Sequence, residues 1–429
     1  MKGPIARTTL LTSCVFGLRL VLQAATLLVV TRLLGPSAYG AFSGVAALAL
    51  FLGALAAFGF PLILMRAVSR DPTTRGEVLP FALPTIALSG ALLTAMFVVS
   101  CLLLFPAAGI SIAVLLSIGV AEILLQPLLL ICAAEWHGRG RVVFAQCLQL
   151  LPLGLRLAAA MVVMQLTPQA PLTPFAVGYL LASLIAVTLS VMALPVRWPA
   201  PSIWRLPLPH EMREAFGYAA TELTRNGPTE LDKTLAVRCL PIHQAGLYGA
   251  GTRMMGAAVL PVIAMAVSAL PRLFRESRDG ASVSARLIHW MTGFALGYGT
   301  LLSIVLWFLA PWADRLLGSA YAGAGALLQL LCIVIPGLSL RLVFGNILVA
   351  VGRPWMRVGC EGLGILALML VGSILSASQG ISGMAIALAC SEWGMAVLGG
   401  WFVMRRGDAG MVKVLRGGKT DEGIVRRPK

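Results

Sequence analysis

The stretch TRLLGPSAYGAFSG, Thr31 to Gly44, returns later in the chain as VRCLPIHQAGLYGAGTR, Val237 to Arg253. Arg32 corresponds to Arg238 at an offset of 206 residues, and Arg19 to Arg225 at the same offset. After a three-residue insertion, Tyr39-Gly40 aligns with Tyr248-Gly249 and Arg66 with Arg275, both offset by 209. Further on, Gly138-Arg139 aligns with Gly352-Arg353. Chance similarity between apolar segments does not put charged and glycine positions in register. The chain therefore reads as a duplication: one half is residues 1–205, the other 206–406, and a basic tail fills 407–429.

Composition says what is duplicated. Of the 429 residues, 59% are hydrophobic and 12% charged, against about 25% charged in soluble domains. So few charges cannot cover a soluble fold of this size. Long apolar stretches recur, each near the roughly 20 residues that a helix needs to cross a bilayer. No sustained alternation of the outer-membrane-barrel kind is present. The expected spans are 8–31, 41–65, 80–104, 108–133, 142–166, 172–195, 213–237, 244–271, 287–311, 321–351, 355–378 and 381–404. The first is read as a span rather than a signal peptide, because its apolar run is long and contains Arg19. Six spans per half give both halves one orientation, related by an axis along the membrane normal.

The net charge of +16 is a topology signal and needs no nucleic acid. Arginine and lysine crowd the N-terminus, every second loop (Arg66, Arg70 and Arg75; Arg139 and Arg141; Arg197, Arg205 and Arg213; Arg272 to Arg286; Arg353 and Arg357) and the tail. The alternate loops hold only Arg32, Arg238 and Arg315. By the positive-inside rule both termini are cytoplasmic, and the tail from Arg405 is expected to be a mobile extension.

Charges inside the spans are costly, roughly 2.5–3.5 kcal/mol each at a helix centre, so they should face a wet interior or one another. The cations are Arg19, Arg156, Arg225, Lys233, Arg253 and Arg341; the carboxylates are Glu122, Glu222, Glu230, Asp232, Glu361 and Glu392. In the first span Thr12, Arg19, Gln23 and Thr26 share one helical face. In the fifth, Gln149 and Arg156 do; in the seventh, Glu222, Arg225 and Asp232 do, and Asn226-Gly227-Pro228 is expected to break or kink the helix. For any one of these charges a structural ion pair competes evenly with function, and for Glu361 and Glu392 the structural pair is favoured. Arg19 and Arg225 occupy equivalent places in the two halves, so they are expected to face one cavity between them. Two guanidinium groups facing one cavity suit an anion, above all a phosphate. The expected substrate contacts are Arg19, Gln23, Arg156, Arg225 and Arg341, with Glu222 and Asp232 as candidates for Na⁺ or H⁺ coupling.

The chain has no Walker A loop, no Ser/His/Asp constellation and no metal-ligand cluster, so it does not read as an enzyme and no cofactor is expected. The major-facilitator loop signature Gly-x-x-x-Asp-Arg is missing from RAVSRDPTTRGEV at Arg66.

The segment from Thr31 to Arg66, TRLLGPSAYGAFSGVAALALFLGALAAFGFPLILMR, resembles the first-loop and second-helix region of polysaccharide repeat-unit (Wzx-type) flippases. These belong to the multidrug/oligosaccharidyl-lipid/polysaccharide exporter superfamily. Asp232-Lys233, Gly246-Leu247-Tyr248 and the stretch VAVGRPWMRVG from Val349 resemble further segments of that family. The resemblance implies an all-α, V-shaped pair of six-helix bundles with twelve transmembrane helices. It implies outward flipping of undecaprenyl-pyrophosphate-linked oligosaccharides, by alternating access, in a bacterial inner membrane. It further implies a monomer working beside a polysaccharide polymerase in O-antigen or exopolysaccharide synthesis, with Arg19 and Arg225 on the pyrophosphate. The competing readings are an ion-coupled multidrug efflux carrier of the same superfamily and a non-transporting scaffold. Glu122 and Asp232 support the efflux reading; the intramembrane arginines oppose it.

Overall fold

A computed structural model describes residues 4–106, 109–166, 168–266, 269, 273 and 285–417, without the side chains of 4–10, 12–13, 214, 225–226, 285 and 406–417. Among these residues the chain forms helices and no strands. Helices α1 (4–34) and α2 (36–56, then Phe60–Arg70) are followed by α3 (Arg75–Leu104). Helix α4 runs through Ile112–Gly119, a π-helical turn Val120–Leu125 and Gln126–Gly138. The first half closes with α5 (Val142–Leu166) and α6 (Leu172–Met192). The second half contains α7 (Pro209–Cys239), α8 (Ile242–Ala258 and Leu260–Ala266) and α9 (Ala285–Leu309). It ends with α10 (Ala324–Leu331 and Val334–Ala350), α11 (Pro354–Gln379) and α12 (Ile381–Gly417).

Eight helices are long and apolar enough to cross a bilayer, and the bent pairs α8 and α10 bring the number to ten. One of the eight, Cys14–Ala56, holds two crossings, because the chain turns at Gly35. The remaining crossing is α7, too charged for a hydropathy test, with nine acidic or basic residues between Glu211 and Arg238. The result is a multi-pass, twelve-helix membrane protein built as two six-helix bundles.

The repeated sequence forms the corners. Gly35 turns the chain between α1 and α2 at φ 67, ψ 171, a conformation that glycine alone adopts without strain, and Pro36 then opens α2. The matching corner is Leu240-Pro241, both extended, ahead of Ile242. The helices leaving the two corners, α2 and α8, cross face to face. A side chain on Gly246 would collide with the Pro36 carbonyl, and one on Gly40 with the Ile242 carbonyl. Small residues let membrane helices approach this closely, where dispersion replaces the absent hydrophobic drive. Around this crossing Arg32 donates to the Leu316 carbonyl (2.9 and 3.2 Å), and the Tyr321 hydroxyl donates to the Thr31 carbonyl (3.3 Å). The bundles are therefore sealed at the end where the corners lie. Most of their mutual packing is made by α1 and α2 against α7 and α8.

One expectation is corrected. Asn226-Gly227-Pro228 does not break α7, which runs helical from Pro209 to Cys239. Proline removes one N–H, and Gly227 is clamped between Phe51 of α2 and Ile365 of α11, so packing holds the helix through it. The breaks fall elsewhere. In α2, Phe58 (φ 46) and Gly59 (φ 69) interrupt the helix where Gly59 presses on Tyr218 and Ala219 of α7. Helices α8 and α10 bend by 42° and 44°. The segment after Arg405 is likewise helical as far as Gly417. Residues 418–429 of the basic tail, and Arg272, Arg275 and Arg278, lie outside the described residues.

The linker between the bundles is tied down. Arg75 donates to the carbonyls of Val196 (2.8 Å) and Arg197 (3.1 Å), and the Arg205 N–H donates to the Pro80 carbonyl (3.0 Å). Glu211 receives Arg205 at 2.6 Å and also the Leu208 N–H at 2.7 Å, which caps the start of α7. The Arg205 guanidinium holds the Glu211 carboxyl below the usual carboxylate range. Such a group stabilises the fold above its ordinary pKa, and that contribution disappears as pH falls through the lowered one. Glu211→Gln is expected to flatten the loss of thermal stability below about pH 4.3. The effect should stay under about 1 kcal/mol, because the pair is exposed. Melting curves at stepped pH would check it; equal acid sensitivity in the two proteins would remove the strap from the account.

Candidate functional site

Helices α7 and α8 bring one group of charges to the junction of the bundles. Glu230 and Lys233 stand a turn apart on α7, and the tight corner at 240–241 folds α8 back beside them. Glu230 receives Arg253 of α8 at 3.2 Å and lies 3.7 Å from the Lys233 ammonium. Lys233 also meets Asp232 at 3.1 Å, and the Tyr248 hydroxyl donates to the other Asp232 oxygen at 3.2 Å. Exposure separates the members: the side chains of Asp232 and Lys233 are 2% and 4% exposed, that of Glu230 16% and that of Arg253 38%. Arg253 belongs to the second bundle, one helical turn beyond Gly249, where α8 packs on Ser43 and Tyr39 of α2. A partly exposed arginine thus sits where the two bundles meet.

A second group lies within the first bundle. The Arg156 guanidinium meets Glu122 at 2.7 Å, donates to the Ser183 hydroxyl at 2.8 and 3.2 Å, and stands 3.8 Å over the Tyr179 ring. The Tyr179 hydroxyl donates to the same Glu122 oxygen. Glu122 lies in the π-helical turn of α4, a local irregularity common at functional sites. Its second oxygen is buried and has no hydrogen-bond partner among the described residues.

A third group ties α10, α11 and α12 together. Arg341 meets Glu392 at 2.6 Å and Glu361 at 3.5 Å, and Glu361 receives Arg357 at 3.0 Å. The side chains of Arg341, Glu361 and Glu392 are all 3% exposed or less.

The expected site residues thus divide. Arg19 and Gln23 are half-buried on α1, beside the exposed Leu18, Leu20 and Val21, and Arg19 has an interaction partner. Glu222 is half-buried and also partnered. The Arg225 side chain lies outside the described residues, so its expected approach to Arg19 stays an expectation. Arg156 is bound inside the first bundle, Arg341 is locked in a buried pair, and Asp232 is covered by Lys233 and Tyr248. Arg253, Glu230, Tyr39 and Tyr179 were not among the expected contacts. One signal for Arg253 was in the repeat: at the offset of 209 it replaces Gly44, a charge where the first half has none.

No protein-family model matches the chain, and no curated protein matches it either. Solved structures do. An inward-facing multidrug-resistance transporter of the MATE family, in the MOP superfamily, superposes with a TM-score of 0.75 at 13% identity, over 92% of this chain and 95% of its own. The fold is that of the MOP exporters. An outward-facing MATE transporter reaches 0.57 at 13% identity, over 91% and 96%. The lipid II flippase MurJ, in an inward closed conformation, reaches 0.68 at 12% identity, over 96% and 94%. The chain superposes better on these two inward conformations than on the outward one, in keeping with the sealed corner between α2 and α8.

Proposed function

We propose that the chain is a flippase for a lipid-linked oligosaccharide carrying a diphosphate, which it moves from the inner to the outer leaflet of a bacterial plasma membrane. The observation that carries this reading is Arg253, a cation on α8 at the meeting of the bundles whose side chain is 38% exposed. A guanidinium that an anion can reach holds it through charge-assisted, bidentate hydrogen bonds. The flippase resemblance of the Thr31–Arg66 segment points to the same cargo. In this reading Arg19 and Gln23 of α1 contact the cargo on the other side, both termini are cytoplasmic, and the sealed corners face outward. The chain acts as a monomer that feeds a polysaccharide polymerase.

Ion-coupled efflux of cationic compounds is the second reading. The unpartnered Glu122 oxygen favours it, because such an oxygen can receive a proton or a cation. The two readings separate in one experiment. The gene is deleted and complemented with wild type, Arg253→Ala or Arg253→Lys; lipid-linked oligosaccharide on each leaflet and drug susceptibility are then measured. A charge-assisted contact is worth about 1.5–3 kcal/mol, so Arg253→Ala should lower flipping at least tenfold, with cargo building up on the inner leaflet. Arg253→Lys should lose less. Normal leaflet distribution with increased drug sensitivity in the deletion would reject the flippase and support efflux.

A further inference from the structure

We infer that Glu230 is an internal substitute for the cargo's phosphate: it occupies Arg253 and Lys233 in the empty carrier and yields them when a diphosphate arrives. The inference rests on the reading above, in which Arg253 receives an anion.

The geometry of one oxygen carries it. Oε2 of Glu230 accepts from Arg253 at 3.2 Å and lies 3.7 Å from the Lys233 ammonium. It bridges cations from two helices, as a phosphate oxygen would. Accessibility singles this carboxylate out. Among the described intramembrane pairs, Glu122, Asp232, Glu361 and Glu392 are 1–3% exposed, and their cations 2–14%. Glu230 is 16% exposed and its arginine 38%, so an incoming anion can reach this pair from the open junction. The cations would also stay in place. Lys233 remains held by Asp232 at 3.1 Å, and Asp232 by Tyr248.

Charge decides the consequence. Glu230, Asp232, Lys233 and Arg253 together are neutral; with Glu230 turned aside the other three carry one positive charge. That charge invites a phosphate, and it would be expensive to enclose without one. The carrier can therefore close over its own carboxylate or over its cargo, but not over a bare arginine. Glu230 lowers affinity for the cargo and speeds the return of the empty carrier.

The test uses the full chain in lipid nanodiscs and proteoliposomes, with farnesyl diphosphate as the probe and farnesol and inorganic pyrophosphate as controls. Glu230→Gln should bind farnesyl diphosphate at least tenfold more tightly than wild type. It should exchange labelled for unlabelled probe at the wild-type rate, yet flip it in net fashion at least fivefold more slowly, because only net flipping needs the empty return. Inorganic pyrophosphate should show the same tightening and farnesol none. If Glu230→Gln does not fold, Glu230→Asp replaces it: the shorter side chain keeps its charge, withdraws from Arg253 and should bind at least threefold more tightly. Wild-type or weaker affinity in a folded variant overturns the inference and leaves Glu230 a structural tether. Wild type that binds no prenyl diphosphate, with Arg253→Ala unchanged from it, overturns the flippase reading itself.

Discussion

Gly246→Val is expected to abolish transport while leaving the protein folded. The valine side chain would collide with the Pro36 carbonyl at the crossing of α2 and α8. Backbone lies on the other side, so no rotamer change relieves the clash. The helices must separate, which opens the sealed corner and disfavours the conformation described here. Even Gly40→Ala, which meets the Ile242 carbonyl, should act in the same direction. Gly293→Ala is the control, since its Cβ would meet nothing within 4 Å. Spin labels placed near residues 33 and 317 would report the corner directly. A longer separation in Gly246→Val, with no change in Gly293→Ala, is the expected pattern. Wild-type separation and transport would mean that the close approach is not required for the cycle.

The second large effect concerns stability. Arg341→Met should destabilise the protein by about 3–5 kcal/mol, the usual consequence of removing one partner of a buried ion pair. Glu392, 1% exposed, would be left with a buried charge and no guanidinium, whereas Glu361 would keep Arg357 at 3.0 Å. Arg341→Met combined with Glu392→Leu should recover most of the loss, because a well-packed apolar pair often equals a buried ionic one. Thermal melting of the purified variants would measure both. A single variant that melts like wild type but no longer transports would return Arg341 to the cargo path, where the sequence pattern alone had put it.

Arg341 shows what a linear reading can and cannot reach. A buried cation in an apolar helix announces a partner, and the sequence offers six intramembrane carboxylates without saying which. The pairs Arg156–Glu122, Arg253–Glu230 and Arg341–Glu392 each join different helices. Their choice depends on helix rotation and packing, which no spacing rule within one helix encodes. Most spans were far more legible, since they need only length and apolarity: α5 begins at 142 and ends at 166 as expected. The corners fall in the gaps between expected spans, at 32–40 and 238–243, where Gly35-Pro36 and Pro241 act through local backbone chemistry. The interruption of α2 was not, because Phe58 and Gly59 yield to a helix more than 150 residues away. Helix α7 shows the reverse, where tertiary packing overrides the local preference of Pro228.

The neutrality of the buried groups has an electrical consequence. Glu122 balances Arg156, the four groups around Glu230 balance one another, and Arg341 and Arg357 balance Glu361 and Glu392. As far as these described groups go, rocking the bundles moves no net charge through the membrane's field. A membrane potential does work of about 2.3 kcal/mol per charge per 100 mV; if the cargo is the proposed diphosphate, that work falls on its phosphates and not on these groups. With the interior negative, an anion moved outward runs down that potential, and these balanced groups add nothing to the work of the empty return.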